Sequence, residues 1–145
     1  MNQFLRISWS DRWLLAEAIT FLSLVRLASK LVPFKRLAPF LGEPASTPDI
    51  EINQSTEAFV KSIAWAIRIM AKYLPWTPSC LEKSMAAKRI LQRRRIPSTL
   101  YLGVAKNNQN VLDAHAWLQC GPFIVTGETN HQHYINLISF TDHYD

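Results

Sequence analysis

The sequence predicts an α+β domain, with helices as far as residue 94 and a small antiparallel sheet after them. Three observations point there. Apolar residues recur at helical spacing over 13–31 and 56–74, and Cys80, Ser84, Ala87 and Leu91 form a further stripe of mostly small residues at that spacing. The period changes to two at Thr99, where Leu100, Leu102 and Val104 alternate with Thr99, Tyr101 and Gly103. The segments after Thr99 are joined by connections too short for a crossover, which favours antiparallel neighbours.

Taken in order, Ser10 can cap a helix that begins at Asp11. Leu14, Ala18, Leu22 and Val25 form its stripe, Leu15, Ile19 and Leu24 widen it, and Pro33 ends it. A face this broad is buried against the rest of the chain, a partner or a membrane surface. Lys35–Leu41 reads as a short helix closed by Gly42. Residues 43–55 are polar, contain Pro44 and Pro48, and read as a linker or long loop. Ser55 or Thr56 caps the next helix, whose stripe is Phe59, Ile63, Ile67 and Met70, with Val60, Ala64 and Ala66 beside it, and Pro75 stops it. Thr77 followed by Pro78 reads as the start of a further helix running to about Arg94. Strands are expected at 99–104, 111–119 and 123–126, and residues 128–140 add a short strand or wrap around the sheet. Residues 1–56 read as an N-terminal helical segment and linker, and residues 57–145 as the core domain.

The chain has 145 residues, 48% hydrophobic and 19% charged, an ordinary globular balance for one domain with a core. The net charge of +5 and pI of about 9.5 suit an acidic partner surface. No glycine-rich phosphate loop and no interleaved aromatic–basic pattern supports nucleic acid. Lys88, Arg89, Arg93, Arg94 and Arg95 read as the solvated face and C-terminal end of one helix. Asp11, Arg12, Glu17, Arg26 and Lys30 interrupt the hydrophobic N-terminal stretch, so no run is long enough to span a bilayer. No small-residue cleavage site follows a basic start, so no signal peptide is expected. A cytoplasmic protein is the expectation, with peripheral membrane association by the first helix also compatible. Two cysteines, Cys80 and Cys120, make neither a disulfide framework nor a zinc cluster. A single Cys80–Cys120 bridge is the alternative to two reduced thiols.

Cys80 falls in the first turn of its helix, where the positive end of the dipole favours a thiolate. Ser84, Ala87 and Leu91 continue its stripe with mostly small residues, which lets another element approach the sulfur. His115, in Asp113-Ala114-His115-Ala116-Trp117, is the candidate base. A cysteine before a distant histidine with an acid to orient the ring is the layout of a thiol nucleophile. Free cysteine is also among the most buried residue types, so a core Cys80 is the competing reading. Cys120 faces away from His115 on the same strand and reads as a core residue. His131 and His133 have a chelating spacing but no third ligand nearby, so they read as a polar loop and no metal is expected.

Pro75-Trp76, Cys80-Leu81, Leu91 with Arg93-Arg94-Arg95-Ile96-Pro97, Leu102-Gly103-Val104, Ala114-His115-Ala116-Trp117 and Gly127-Glu128 stand in a distinctive order. The set resembles the transglutaminase-like leader peptidase of lasso-peptide biosynthesis, over roughly residues 57–140. The N-terminal helices look similar too, less specifically. The resemblance implies a papain/transglutaminase-like core, with the helix carrying the Cys packed on a small antiparallel β-sheet and preceded by N-terminal helices. It implies a cysteine protease that removes the leader from a ribosomally made precursor peptide, without a cofactor. Its cysteine falls on Cys80 and its histidine on His115. An acid on the strand after the histidine orients the ring in this family, and that position here is Glu128, in place of the usual Asp. Asp113, on the same strand face as His115, is the rival. The Cys80 backbone amide is the first oxyanion donor and the Trp76 indole a candidate second. Trp117 is either a pocket wall or a core aromatic.

No segment of this chain is long enough for the winged-helix-like domain that some members carry, so a separate leader-recognition protein is the expected partner. The resemblance implies that the freed peptide passes to an ATP-dependent macrolactam synthetase. The N-terminal helices or the basic residues 88–95 are the candidate docking surfaces. Two other readings stay open: acyl transfer to an amine by the same thiol, and a non-catalytic basic binding module in which Cys80 and His115 are dispensable.

Overall fold

A computed structural model describes residues 9–37, 39, 43–44, 53–106, 109–127 and 135–141. Its helices are α1 (Trp9–Leu31), α2 (Phe34–Leu37), α3 (Gln54–Tyr73) and α4 (Cys80–Arg93). Its strands are β1 (Glu43–Pro44), β2 (Thr99–Lys106), β3 (Leu112–Cys120), β4 (Phe123–Thr126) and β5 (Ile135–Thr141). They form one antiparallel sheet in the order β1-β5-β2-β3-β4. The expected run β2-β3-β4 is present. The fourth segment then returns to pair with β2, which makes the four main strands a Greek key rather than a simple meander. That return gives β2, the most buried start of the sheet, a neighbour on both sides.

The α+β architecture, with helices before the four main strands, is as the sequence predicts, but Glu43–Pro44, expected within a linker or loop, pairs with β5 as a short edge strand. One core joins its parts. Leu14, Leu15, Ala18 and Leu22 of α1, Val60, Ile63, Ala66 and Ile67 of α3, and Ala86, Ala87, Ile90 and Leu91 of α4 meet Leu100, Leu118, Cys120 and Phe140 of the sheet. α4 is the central helix, packed on α1 and α3 on one side and on β2, β3 and β4 on the other. The stripe of Ser84, Ala87 and Leu91 is fully buried. Small side chains there bring the α4 backbone close to the sheet.

Several helix ends differ from the sequence reading, each for a local reason. α4 does not start at Thr77-Pro78. Ser79 is its N-cap, with extended backbone and with Oγ accepting from the Glu82 amide at 3.1 Å. Ser79-x-x-Glu82 is the capping-box spacing, but only half the box forms. The Glu82 carboxylate instead takes Arg26 of α1 at 3.0 Å, and is itself almost fully buried. α3 starts one cap earlier, at Asn53, whose Oδ1 accepts from the Thr56 amide at 2.8 Å. An asparagine at this position satisfies an amide that Ser55 and Thr56, already in the first turn, do not. α1 already includes Trp9 and Ser10, so Ser10 does not cap it. Ile19 and Leu24 are exposed, because α1 lies outermost and offers only one stripe to α3 and α4. The short helix expected at 35–41 is Phe34–Leu37; Leu41 and Gly42 lie outside the described residues.

Lys88 overturns the reading of the basic cluster. It is fully buried, because α4 is covered on both sides, and its Nζ donates to the Ser98 carbonyl at 2.7 Å and to Ser98 Oγ at 3.1 Å. A buried ammonium needs such acceptors. Arg89, Arg93, Arg94 and Arg95 are exposed, as expected for the solvated face. Arg93 and Arg94 nonetheless both bind Glu17, at 2.5 and 2.9 Å, tying the end of α4 to α1. No helix among the described residues is long and apolar enough to cross a membrane.

Two outcomes follow from this packing. Arg26→Ala strands the Glu82 carboxylate, and a loss of about 1–3 kcal/mol is expected from the uncompensated buried group. Urea unfolding reads this as a lower midpoint with unchanged slope, and an unchanged midpoint would refute it. Both cysteines are free thiols, Cys80 partly exposed and Cys120 buried. Burial pushes the Cys120 thiol up to about 11, against a smaller opposing pull from Lys88. Alkylation requires an accessible thiolate. Native protein treated with iodoacetamide near pH 8 should therefore gain one adduct, at Cys80, and a second only after denaturation.

Candidate active site

Cys80 is the first residue of α4, directly after the Ser79 cap. By helix geometry its amide and that of Leu81 have no intrahelical acceptor, so both face outward at the positive end of the helix. The sulfur lies against β3: the Ala116 amide donates to Cys80 Sγ at 3.4 Å. Ala116 directly follows His115. The fold thus sets the sulfur against the backbone of the strand that carries His115.

The reason lies at the end of β4. That strand pairs with β3 only as far as Thr126 opposite Leu118. Gly127 then turns with φ of +72°, a left-handed conformation that glycine adopts without penalty. A Cβ there would collide with the Ala116 carbonyl and lie 2.8 and 2.9 Å from Cβ and Cα of Trp117. The close approach puts the Gly127 carbonyl 3.0 Å from His115 Nε2. Beyond Thr126, the Ala116 amide therefore meets a thiol rather than the next residue of an edge strand.

The Gly127 carbonyl can only accept, so this hydrogen bond puts the proton of the neutral imidazole on Nε2. Nδ1 then carries the lone pair and is the basic nitrogen. The ring is also flanked on its own strand. Trp117 stacks on His115 with centroids 5.9 Å apart, and Tyr101 stacks on Trp117 at 5.4 Å from the opposite position of β2. Burial raises the Tyr101 phenol above its usual range. Across the site, Ser84, one turn after Cys80, shares a buried 2.6 Å hydrogen bond with Thr126, the residue before Gly127. The sulfur and the support of the imidazole are thereby fastened to each other.

A cleft of about 570 Å³ opens beside this arrangement, between α3, the turn before α4 and β4. Trp76, Pro78 and Gly127 line it, together with the cations Arg68, Lys72 and Lys83. Trp117, only 6% exposed, is absent from the described residues that line it and acts as a buried prop for the imidazole. The Trp76 indole nitrogen is buried and has no hydrogen-bond partner among the described residues. The Arg26 guanidinium lies 6.0 Å from the Trp76 ring centroid while also binding Glu82, so α1 braces the turn that leads into Cys80.

Of the other residues singled out in the sequence, Asp113 is exposed at the start of β3, opposite Ala105. Cys120 is in the core, with its Sγ near the Pro97 carbonyl. Glu128, His131 and His133 lie outside the described residues. Among the described residues no three His, Cys, Asp or Glu groups gather as a metal site. The sequence reading missed the Gly127 carbonyl, the Ala116 amide and the Arg26–Glu82 brace. A signal existed for two of them: a glycine directly after a predicted strand, and Ser79-x-x-Glu82.

A thiol at a helix start, against the strand that carries His115, is an arrangement that can support attack by sulfur on an acyl carbon. No curated protein and no solved structure matches the chain significantly. A family profile described as the transglutaminase-like superfamily matches residues 18–139, which takes in both Cys80 and His115. That superfamily includes cysteine proteases and acyltransferases. With most of its length matched, and with a cysteine-bearing helix packed on a small antiparallel sheet, the chain belongs to the transglutaminase-like superfamily.

Proposed function

We propose that the protein is a cysteine peptidase that removes the leader from a ribosomally synthesised lasso-peptide precursor. The observation that carries the reading is the Cys80 sulfur on the Ala116 amide, next to a His115 whose Nε2 is held by the Gly127 carbonyl. In this mechanism His115 Nδ1 takes the thiol proton. The thiolate so formed sits at the start of α4, against the Ala116 amide. It attacks the scissile carbonyl, and the oxyanion is met by the Cys80 amide and, as the candidate second donor, the unpartnered Trp76 indole. The imidazolium protonates the leaving amine, and water hydrolyses the thioester.

Glu128 is proposed as the acid of the triad. It follows Gly127 directly in the sequence and would share the Nε2 proton that the Gly127 carbonyl already accepts. Asp113 remains the alternative acid. The precursor is delivered by a separate leader-recognition protein, docked on the exposed stripe of Trp13, Leu24, Leu27 and Leu31 on α1. The burial of Lys88 and the pairing of Arg93 and Arg94 with Glu17 make the basic end of α4 the weaker docking surface.

The test is cleavage of the precursor encoded beside this gene, with its leader-recognition protein present, followed by mass spectrometry. Wild type should give one cut, and Cys80→Ala and His115→Ala none while remaining folded. Equal cleavage by Cys80→Ala would remove the proposal. A product joined to an added amine, rather than a free acid, would assign acyl transfer instead. In the same assay Gly127→Ala should cost at least about 100-fold in turnover, as expected when a catalytic group is displaced by about 1 Å. Wild-type rates for this variant would mean that the Gly127 carbonyl does not hold the imidazole.

A further inference from the structure

We infer that the cleft beside Gly127 is a subsite for an acidic side chain of the peptide substrate, a proposal that rests on the peptidase reading of the adjoining site. Three observations carry it. The described residues lining the cleft include Arg68, Lys72 and Lys83 and no carboxylate. None of the three cations has an ion-pair or hydrogen-bond partner among the described residues, in contrast to Arg26, Arg93 and Arg94, which all bind carboxylates. The cleft also adjoins the site of Cys80 and His115: neither lines it, but Gly127, one of its walls, holds His115 through its carbonyl.

A concave site lined by one sign of charge concentrates its field, so these cations act together on a ligand inside it. Arg68 and Lys72 are one turn apart on α3, and Lys83 faces them from the first turn of α4. Trp76 and Pro78 add apolar surface for the stem of a side chain. A glutamate or aspartate matches this combination: a short apolar stem and an anion that accepts charge-assisted hydrogen bonds. The volume of about 570 Å³ holds a side chain and the backbone on either side of it. The cleft thereby selects peptides with an acid within a few residues of the bond at Cys80.

The test separates this subsite from the reaction. Capped decapeptides of Ala, Ser and Gly, labelled with tetramethylrhodamine and amidated at the C-terminus, carry Glu at each position in turn, or Gln in its place. Binding to full-length Cys80→Ala protein is read by fluorescence anisotropy. Glu peptides should bind about tenfold tighter than their Gln partners at one or two positions, the gain from one charge-assisted hydrogen bond. The preference should vanish when Arg68→Gln, Lys72→Gln and Lys83→Gln are combined, and survive a control of equal charge loss, Arg36→Gln with Arg89→Gln and Lys106→Gln. The single Arg68→Gln and Lys72→Gln variants, both at exposed positions, carry the test if the triple variant loses its circular dichroism signature. Equal binding of Glu and Gln peptides, no binding of either, or a preference lost equally in the control overturns the proposal. Precursor cleavage by wild type without any Glu preference would keep the peptidase and remove the subsite. A cleft-dependent Glu preference in a protein that cleaves nothing would keep the subsite and remove the peptidase.

Discussion

The buried hydrogen bond between Ser84 and Thr126 is the joint on which the site depends. One partner stands a turn after Cys80, the other directly before Gly127. The bond forms only because Ser84 and Ala87 are small enough to bring the α4 backbone onto β4 and β3. Two hydroxyls sealed in a core satisfy each other, and either one alone would leave an unpaired polar group. The result is a fixed distance between a helix that presents a sulfur and a strand end that presents a carbonyl. A larger residue at position 84 would open that gap and separate the thiol from the Ala116 amide.

The surroundings of the two cysteines explain why one side chain type plays two roles. Cys120 lies among apolar side chains, and burial penalises its charged form. Cys80 instead is partly exposed, with a helix start behind it and the Ala116 amide in front of it. The ring beside it is held by a backbone carbonyl rather than by exposed side chains alone, so its tautomer is set by the path of the chain. The N-terminal helix belongs to this arrangement as well. Through Arg26 it holds Glu82 and faces Trp76, which fixes the turn from which Cys80 emerges.

The fold class was legible because periodicity is a local property. The apolar stripe of Ile63 and Ile67 and the alternation at 99–104 can be read without knowing what they touch. Cys80 and His115 were legible as candidates for a similar reason: a cysteine at a helix start and a histidine on a strand are local patterns. Lys88 was misread for the opposite reason. A lysine in a basic run looks solvated, and only the covering of α4 from both sides, with Ser98 as acceptor, makes it a buried ammonium. The return of β5 to the β2 edge was equally invisible, since no local pattern encodes which edge a strand joins.

By itself, then, the sequence determined the order of helices and strands, the positions of Cys80 and His115 within them, and a charge balance without an evident nucleic-acid motif. Backbone propensity, capping and hydrophobic spacing act over a few residues, and they suffice for that. The tertiary structure alone decided that the sulfur meets Ala116, that the Gly127 carbonyl takes His115 Nε2, and that Arg68, Lys72 and Lys83 line one cleft. Those are contacts between residues far apart in the chain. They exist only once the small face of α4 has settled on the sheet, because packing, not propensity, sets the distances between elements.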